Sequence, residues 1–237
     1  MPLVLTQQGR AIALHGVDAT RRRDGCKAFA MLVGVRAPTS TTGVARGGRG
    51  ARERILQAAE ELFYARGIHA TGVAALIEAA HVSTRTFFVH FPTKNALVEE
   101  YLRRFESDKP LAAEAALERG DLTPAQRLLA TFAPLETDSP ALFRGCPFHN
   151  AAVEGAGQLP EVARLAQRHK QAFRDRLVAT AAEAGATDPQ SLGRQLAVIF
   201  EGANALAASC NDADVFTDAQ RAAKTLLDVA LRTAPGG

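Results

Sequence analysis

Ser83-Thr84-Arg85-Thr86-Phe87-Phe88-Val89-His90-Phe91-Pro92-Thr93-Lys94-Asn95-Ala96-Leu97 is the stretch on which the reading of this chain turns. Ser83 is a residue type that caps helix N-termini, so a helix is expected to begin there or at Thr84. Pro92 disfavours helical backbone at the residue before it, which ends that helix after roughly two turns. Phe87 and Phe91, four apart, share one side of the helix and anchor it to a core. Thr93 then caps a new helix whose Leu97, Val98, Tyr101, Leu102 and Phe105 point inward, up to a break at Pro110.

Upstream, Ile55, Ala58, Ala59, Leu62 and Phe63 fall at i, i+3, i+4, i+7 and i+8, which predicts one amphipathic helix stopped by Gly67. Thr71 is expected to cap a second, short helix with Val73, Leu76, Ile77 and Ala80 inward, and His81-Val82-Ser83 makes the turn that follows. Two short helices joined this way, the second polar on its outer side, form the geometry of a helix-turn-helix, here over residues 72–91. The outer side chains of the second are then candidates for a DNA major groove: Thr84, Arg85, Thr86, Phe88 and His90, with Ser83 at its start. Arg85 can donate two hydrogen bonds to guanine, and threonine can touch a thymine methyl. Thr71 and Lys94, each at a helix start, suit phosphates, which require donors and positive charge.

The run Ile55, Ala59-Glu60-Glu61-Leu62-Phe63, Gly67, Ala70-Thr71-Gly72-Val73, Ala79-Ala80-His81-Val82-Ser83, Thr86-Phe87-Phe88, His90-Phe91-Pro92-Thr93-Lys94, Ala96-Leu97 resembles the N-terminal domain of the TetR/AcrR family of regulators across about fifty residues. The chain departs from that pattern at His81, where the family usually has glycine, at Phe88, where it has an aromatic hydroxyl, and at Ile77, where a small residue is common. The resemblance implies an all-α protein: an N-terminal three-helix DNA-binding domain at 50–109 and a helical ligand-binding and dimerisation domain at 110–237. It implies a homodimeric transcriptional regulator, most often a repressor, released from a palindromic double-stranded operator by a small-molecule effector. Arg144-Gly145-Cys146-Pro147-Phe148-His149-Asn150-Ala151-Ala152-Val153-Glu154, followed by His169-Lys170, is similar to a C-terminal type found in many such regulators.

Charge adds less than the basic balance suggests. The net +3 divides into +6 over residues 1–50, zero over 51–109 and −3 over 110–237. DNA binding is therefore argued from where Arg52, Arg54, Arg85 and Lys94 stand, not from the total. Residues 1–49, rich in Gly, Thr, Ser and Arg towards their end, are expected to be a largely disordered basic leader. No stretch approaches the roughly 18–20 apolar residues of a membrane span, and a cytoplasmic protein is expected. Cys26, Cys146 and Cys210 are odd in number and far apart, which supports neither a disulfide framework nor a zinc knuckle.

Beyond Pro110 the pattern stays helical. Thr123-Pro124 starts a helix, 161–184 is long and amphipathic, Asp188-Pro189 starts another that runs to about 209, and Phe216-Thr217 starts the last. Small residues in the penultimate helix (Gly202, Ala203, Ala205, Ala207, Ala208), with Ala222, Leu226, Leu227, Val229 and Ala230 in the last, suit a four-helix dimer interface. Leu128, Phe132, Phe143, Phe148, Phe173 and Phe200 are candidate walls of an apolar effector cavity. Cys146, His149, Glu154 and His169 have metal-ligand chemistry, but His149 and Glu154 are five apart and share no helix face, so no metal or cofactor is expected. There is no Ser/His/Asp grouping, phosphate-cradling glycine loop or paired carboxylate of the kind an enzyme would need.

Overall fold

The computed structural model describes residues 50–107, 111–133, 144–155, 159–210, 212 and 214–232, and the described residues form ten helices and no strands. The basic leader at 1–49 and Phe143 lie outside them.

The first helix, α1 (Ala51–Arg66), buries Ile55, Leu56, Ala58, Ala59, Phe63 and Tyr64 on one face. Gly67 ends it with φ 88, in the left-handed region open to glycine, and its N–H donates to the Phe63 carbonyl at 2.9 Å. The next helix, α2 (Val73–Ala79), starts after Gly72, not Thr71. Thr71 is fully buried, and its hydroxyl donates to the carbonyls of Gly67 at 2.7 Å and Leu62 at 3.2 Å. The expected cap is thus a staple that closes the turn behind α1.

Ser83 accepts from the Thr86 amide at 3.1 Å and starts α3 (Thr84–His90). The helix stops at Phe91, as Pro92 dictates. Thr93 accepts from the Ala96 amide at 3.1 Å at the start of α4 (Lys94–Ser107). Leu97, Val98, Tyr101, Leu102 and Phe105 of α4 are all buried. Arg104 of α4 reaches back to Glu53 at 2.8 Å and to the buried Glu60 at 3.3 Å, binding α4 to α1.

Two short helices follow, α5 (Ala112–Leu117) and α6 (Pro124–Ala130), the latter opened by a reciprocal cap between Thr123 and Gln126. The remaining helices are α7 (Pro147–Glu154), α8 (Pro160–Glu183), α9 (Pro189–Cys210) and α10 (Asp214–Ala230). The last begins a little before the expected Phe216-Thr217.

The apolar residues gather in two cores. The first joins α1–α4 to Cys146, Phe148 and Ala151 of the α7 region and to Val162, Leu165 and Ala166 of α8. It therefore runs through the expected domain boundary near residue 110 without a break. The second lies among α6, α8, α9 and α10 and contains Leu128, Phe132, Phe173, Leu177, Leu192, Leu196, Phe216 and Leu227.

Candidate nucleic-acid interface and regulatory core

α3 is held from behind by one side chain. Phe87 is fully buried, edge-on to Phe88 and near Phe91, and the Arg52 guanidinium lies over the Phe91 ring. Burying a phenylalanine this completely is worth about 2–3 kcal/mol. With Phe87 inward, helical geometry turns Thr84 and Phe88, and Arg85 and Val89, outward as i, i+4 pairs. Thr84 and Arg85 are exposed, Phe88 is 45 % exposed and Val89 71 %.

The expected contact residues divide on this frame. Thr84, Arg85 and Phe88 stand on the outer face, and His90 is half-buried beside it. The Ser83 and Thr86 hydroxyls are 2.8 Å apart and bond to each other within the α3 cap, so both help to hold the helix start. Thr71 must be corrected, because its buried hydroxyl faces carbonyls and not solvent. Lys94 at the start of α4 is half-buried; burial pulls its ammonium below the usual lysine value, and Glu154 partly opposes this. Phe88 has no hydroxyl to donate. Val89 is absent from the sequence-based set, although its place four residues after Arg85 on an exposed face puts it there. An apolar side chain at that position suits a thymine methyl.

The α7 region clasps the back of this head. The Arg144 amide donates to the Tyr64 hydroxyl at 3.2 Å, and its guanidinium donates to the Ala65 carbonyl at 3.1 Å. Burial pushes the Tyr64 phenol up to about 12, against the lowering effect of the Arg144 amide. At the other end of α7, the Glu154 carboxylate accepts from the His69 amide at 2.8 Å, and the His69 ring meets the Glu154 carbonyl at 2.5 Å. A Cβ on Gly67 would come within 3.0 Å of both Glu154 carboxylate oxygens. Phe63, Tyr64, Tyr101, Ala151 and Glu154 help enclose a small void of about 10 Å³ at this junction, room for about one water.

The candidate effector residues do not come together. Phe148 lies in the first core, 6.2 Å from Phe105, with the His169 ring stacked on it at 3.6 Å. Leu128, Phe132, Phe173 and Phe200 pack in or against the second, with Phe200 5.9 Å from Phe132 and 5.0 Å from Phe173. Phe200 meets Phe132 edge-on and Phe173 at a tilt, so these aromatic rings pack on one another with Leu128 buried in the same core.

Between the two cores sits a buried polar group. Glu114 of α5 lies 2.9 Å from Arg176 and 3.3 Å from His169, both on α8. Burial, then the nearby Lys170 and Arg176, push the His169 imidazole down to about 3, so it is neutral near pH 7. Burial raises the Glu114 carboxyl, while Arg176 pulls it back down. Lys170 contacts both Cys146 and Glu201. The four residues with metal-ligand chemistry are thus drawn to different partners: Cys146 to Lys170, Glu154 to His69 and His169 to Phe148 and Glu114, while His149 is exposed. Among the described residues no cluster of three or more His, Cys, Asp or Glu could hold a metal ion.

An exposed helix braced on a three-helix head, itself clasped by a helical body, is the arrangement of a helix-turn-helix DNA-binding protein. Residues 55–101 match the family described as bacterial regulatory proteins, tetR family. A TetR transcriptional regulator (sav143) of Streptomyces avermitilis is 31% identical, with a TM-score of 0.62 covering 76% of this chain and 97% of that one. SCO4454, a TetR-family transcriptional regulator of Streptomyces coelicolor, is 27% identical with a TM-score of 0.63, covering 78% and 97%. The HTH-type transcriptional repressor DhaR of Mycobacterium sp. (strain GP1) is 28% identical over 103 residues, 44% of this chain and 51% of the repressor, so the chain spans about half of that relative's length. The chain belongs to the TetR family of transcriptional regulators. No helix among the described residues is long and apolar enough to cross a membrane.

Proposed function

We propose that the protein is a homodimeric, cytoplasmic repressor that binds a palindromic operator and leaves it when a small apolar effector enters the helical half. The single observation that carries this reading is the outer face of α3, where Thr84, Arg85, Phe88 and Val89 stand exposed on a helix fixed by the buried Phe87. Arg85 reads a base pair, Val89 and Phe88 offer apolar contact to thymine, and Lys94 with the first amides of α4 meets phosphate. Ser83, Thr86 and His90 hold or flank the reading face. Residues 50–109 form the reading domain and 110–237 the sensing and dimerising domain. The likeness to a protein named as a repressor supports repression over activation.

Dimerisation is supported by an apolar stripe. Val198 (73 % exposed), Gly202, Ala205 and Leu206 (53 %) share one side of α9, next to Ala222, Leu226 and Val229 of α10. Apolar side chains this exposed on adjacent helices suit a partner surface. Binding of two half-sites one helical turn apart would require a two-fold axis there to set the two α3 helices about 34 Å apart. The effector would enter by parting the Phe132, Phe173 and Phe200 rings, and α7 would carry the movement to the head through Arg144 and Glu154.

Selection of bound duplexes from a random-sequence pool tests this directly. The expected outcome is an enriched inverted repeat with half-sites about one helical turn apart. Recovery of unrelated sequences at every round would contradict it.

A further inference from the structure

Glu114 of α5 is 4 % exposed and faces α8. Three side chains of α8, His169, Phe173 and Arg176, follow one another at i, i+4 and i+7 and so share one face of that helix. His169 stacks on Phe148 of the first core, and Phe173 lies 5.0 Å from Phe200 in the second. Arg176 Nη2 meets Glu114 Oε1 at 2.9 Å, an ion pair without the alignment of a hydrogen bond. Among the described residues, Glu114 Oε1 and Arg176 Nε are buried and neither has a hydrogen-bond partner. A buried acceptor and a buried donor left unpaired side by side run against the rule that such groups are satisfied. Bracing the fold does not account for them, since a buried ion pair stabilises little beyond an apolar pair of the same shape.

We propose that Glu114, Arg176 and Phe173 form a ligand site for a neutral molecule that carries a hydroxyl on a compact apolar frame. The site names the chemical class of the effector and rests on the effector reading above. A hydroxyl is one donor and two acceptors. Its O–H donates to Glu114 Oε1 and its oxygen accepts from Arg176 Nε, so one group satisfies both atoms. Nε and Nη2 belong to one planar guanidinium, which leaves both unpaired atoms within reach of a single oxygen while Nη2 stays on Glu114. Charged ligands fit worse. A carboxylate would face Glu114, and an ammonium would face Arg176. Lys170 does not alter this, because Glu201 holds it at 2.5 Å. The His169 imidazole, 3.3 Å from the same Oε1 and neutral near pH 7, adds no charge of either sign. The apolar frame follows the α8 face to Phe173, so the rings to be parted begin beside the polar end.

The position couples the site to the head. Phe148, stacked on the His169 ring at 3.6 Å, belongs to α7. The same short helix ends on Glu154, whose carboxylate accepts from the His69 amide at 2.8 Å behind the reading unit. A ligand frame wedged at Phe173 displaces the His169–Phe148 stack and α7 with it, which loosens the Glu154 contact on the head. Ligand and DNA are then opposed through one helix.

Calorimetry on the full chain near pH 7 tests the site with thymol, a small apolar phenol that is neutral there. Its methyl ether, which cannot donate, and the benzoate bearing the same alkyl groups are the comparisons. Thymol is expected to bind saturably, and the ether about tenfold more weakly, because Glu114 Oε1 then stays unpaired. The benzoate is expected to bind more weakly still. Glu114→Gln is expected to weaken thymol and to strengthen the benzoate several-fold, a gain that a damaged fold would not give. Equal affinities for thymol and its ether, no saturable binding of thymol, or a benzoate unimproved by Glu114→Gln would overturn the proposal. With a duplex selected by the unliganded protein, saturating thymol is expected to weaken DNA binding about tenfold. Thymol bound with the expected dependence on Glu114 but without effect on the duplex would overturn the effector role and uphold the ligand site. Failure of the protein to select any duplex would count against the DNA-binding reading, and the calorimetry would still decide the ligand class.

Discussion

His81 has φ 51, the one non-glycine residue with positive φ among the described residues, and it stands in the turn between α2 and α3. A side chain there costs about 1–2 kcal/mol relative to glycine. His81→Gly is therefore expected to raise the urea midpoint by an amount equivalent to about 1 kcal/mol, reduced somewhat by the greater freedom glycine gives the unfolded chain. An unchanged or lower midpoint would show that the imidazole makes compensating contacts. His169 is a second such case. Its imidazole is pushed down from 6.5 to about 3, so between those values the unfolded chain binds a proton that the folded chain refuses. The stability it allows is fully present above pH 6.5 and is lost as pH falls towards 3. Glu114, raised by burial, works in the opposite sense: its contribution is present at low pH and is lost as pH rises through its folded value. Denaturant titrations from pH 7 to pH 4 are expected to show declining stability, and His169→Phe, which keeps a ring on Phe148, to flatten the decline. Equal slopes in both proteins would assign the acid sensitivity elsewhere.

At the scale of elements, α8 and α9 approach each other through Gly193. A Cβ there would sit 2.5 Å from a Val178 methyl and 2.7 Å from its Cα and amide nitrogen. Backbone atoms cannot step aside as a flexible side-chain end can, so Gly193→Ala must move a helix. It is expected to cost about 1–3 kcal/mol in denaturant unfolding, whereas the better helix propensity of alanine alone would stabilise by about 1 kcal/mol. A stabilised variant would disprove the close approach. Much of the element order was legible because each boundary carries its own chemistry: Gly67 as a stop, Ser83 and Thr93 as caps, Pro92 as a break, Thr123-Pro124 as a start. Thr71 misled because threonine before a helix resembles a cap, yet the nearest free carbonyls were those of α1 behind it. The outer face of α3 was legible in part: Thr84, Arg85 and Phe88 were expected to face outward and do, whereas Val89 was not expected there. The placing of the phenylalanines was not legible, since their order along the chain does not say that Phe148 joins one core and Phe132, Phe173 and Phe200 the other. Nor does a sequence show that Cys146 meets Lys170 and Lys170 meets Glu201, contacts that span 24 and 31 residues and three helices.

At the scale of the whole molecule, the apolar residues divide between two cores. The first makes the head continuous with α7 and α8, so a shift in the body has a packed route to α3. The second leaves Val198, Leu206 and Val229 uncovered on α9 and α10. Val198→Glu with Leu206→Glu places two charges on that stripe without entering either core. Sedimentation is expected to show a monomer that retains its helicity and loses most of its affinity for an inverted repeat. A dimer that persists would move the interface to another surface.

The central claim is that α3 reads bases through Arg85 while Lys94 serves phosphate. It is tested most directly by titrating the unsubstituted protein, Arg85→Ala and Lys94→Ala against a selected duplex and its scrambled counterpart over a range of salt concentrations. Arg85→Ala is expected to lose about 1–3 kcal/mol on the selected duplex and little of that on the scrambled one. Lys94→Ala is expected to weaken both alike and to lower the salt slope by about one. Equal losses on the two duplexes for Arg85→Ala would contradict base reading by this helix.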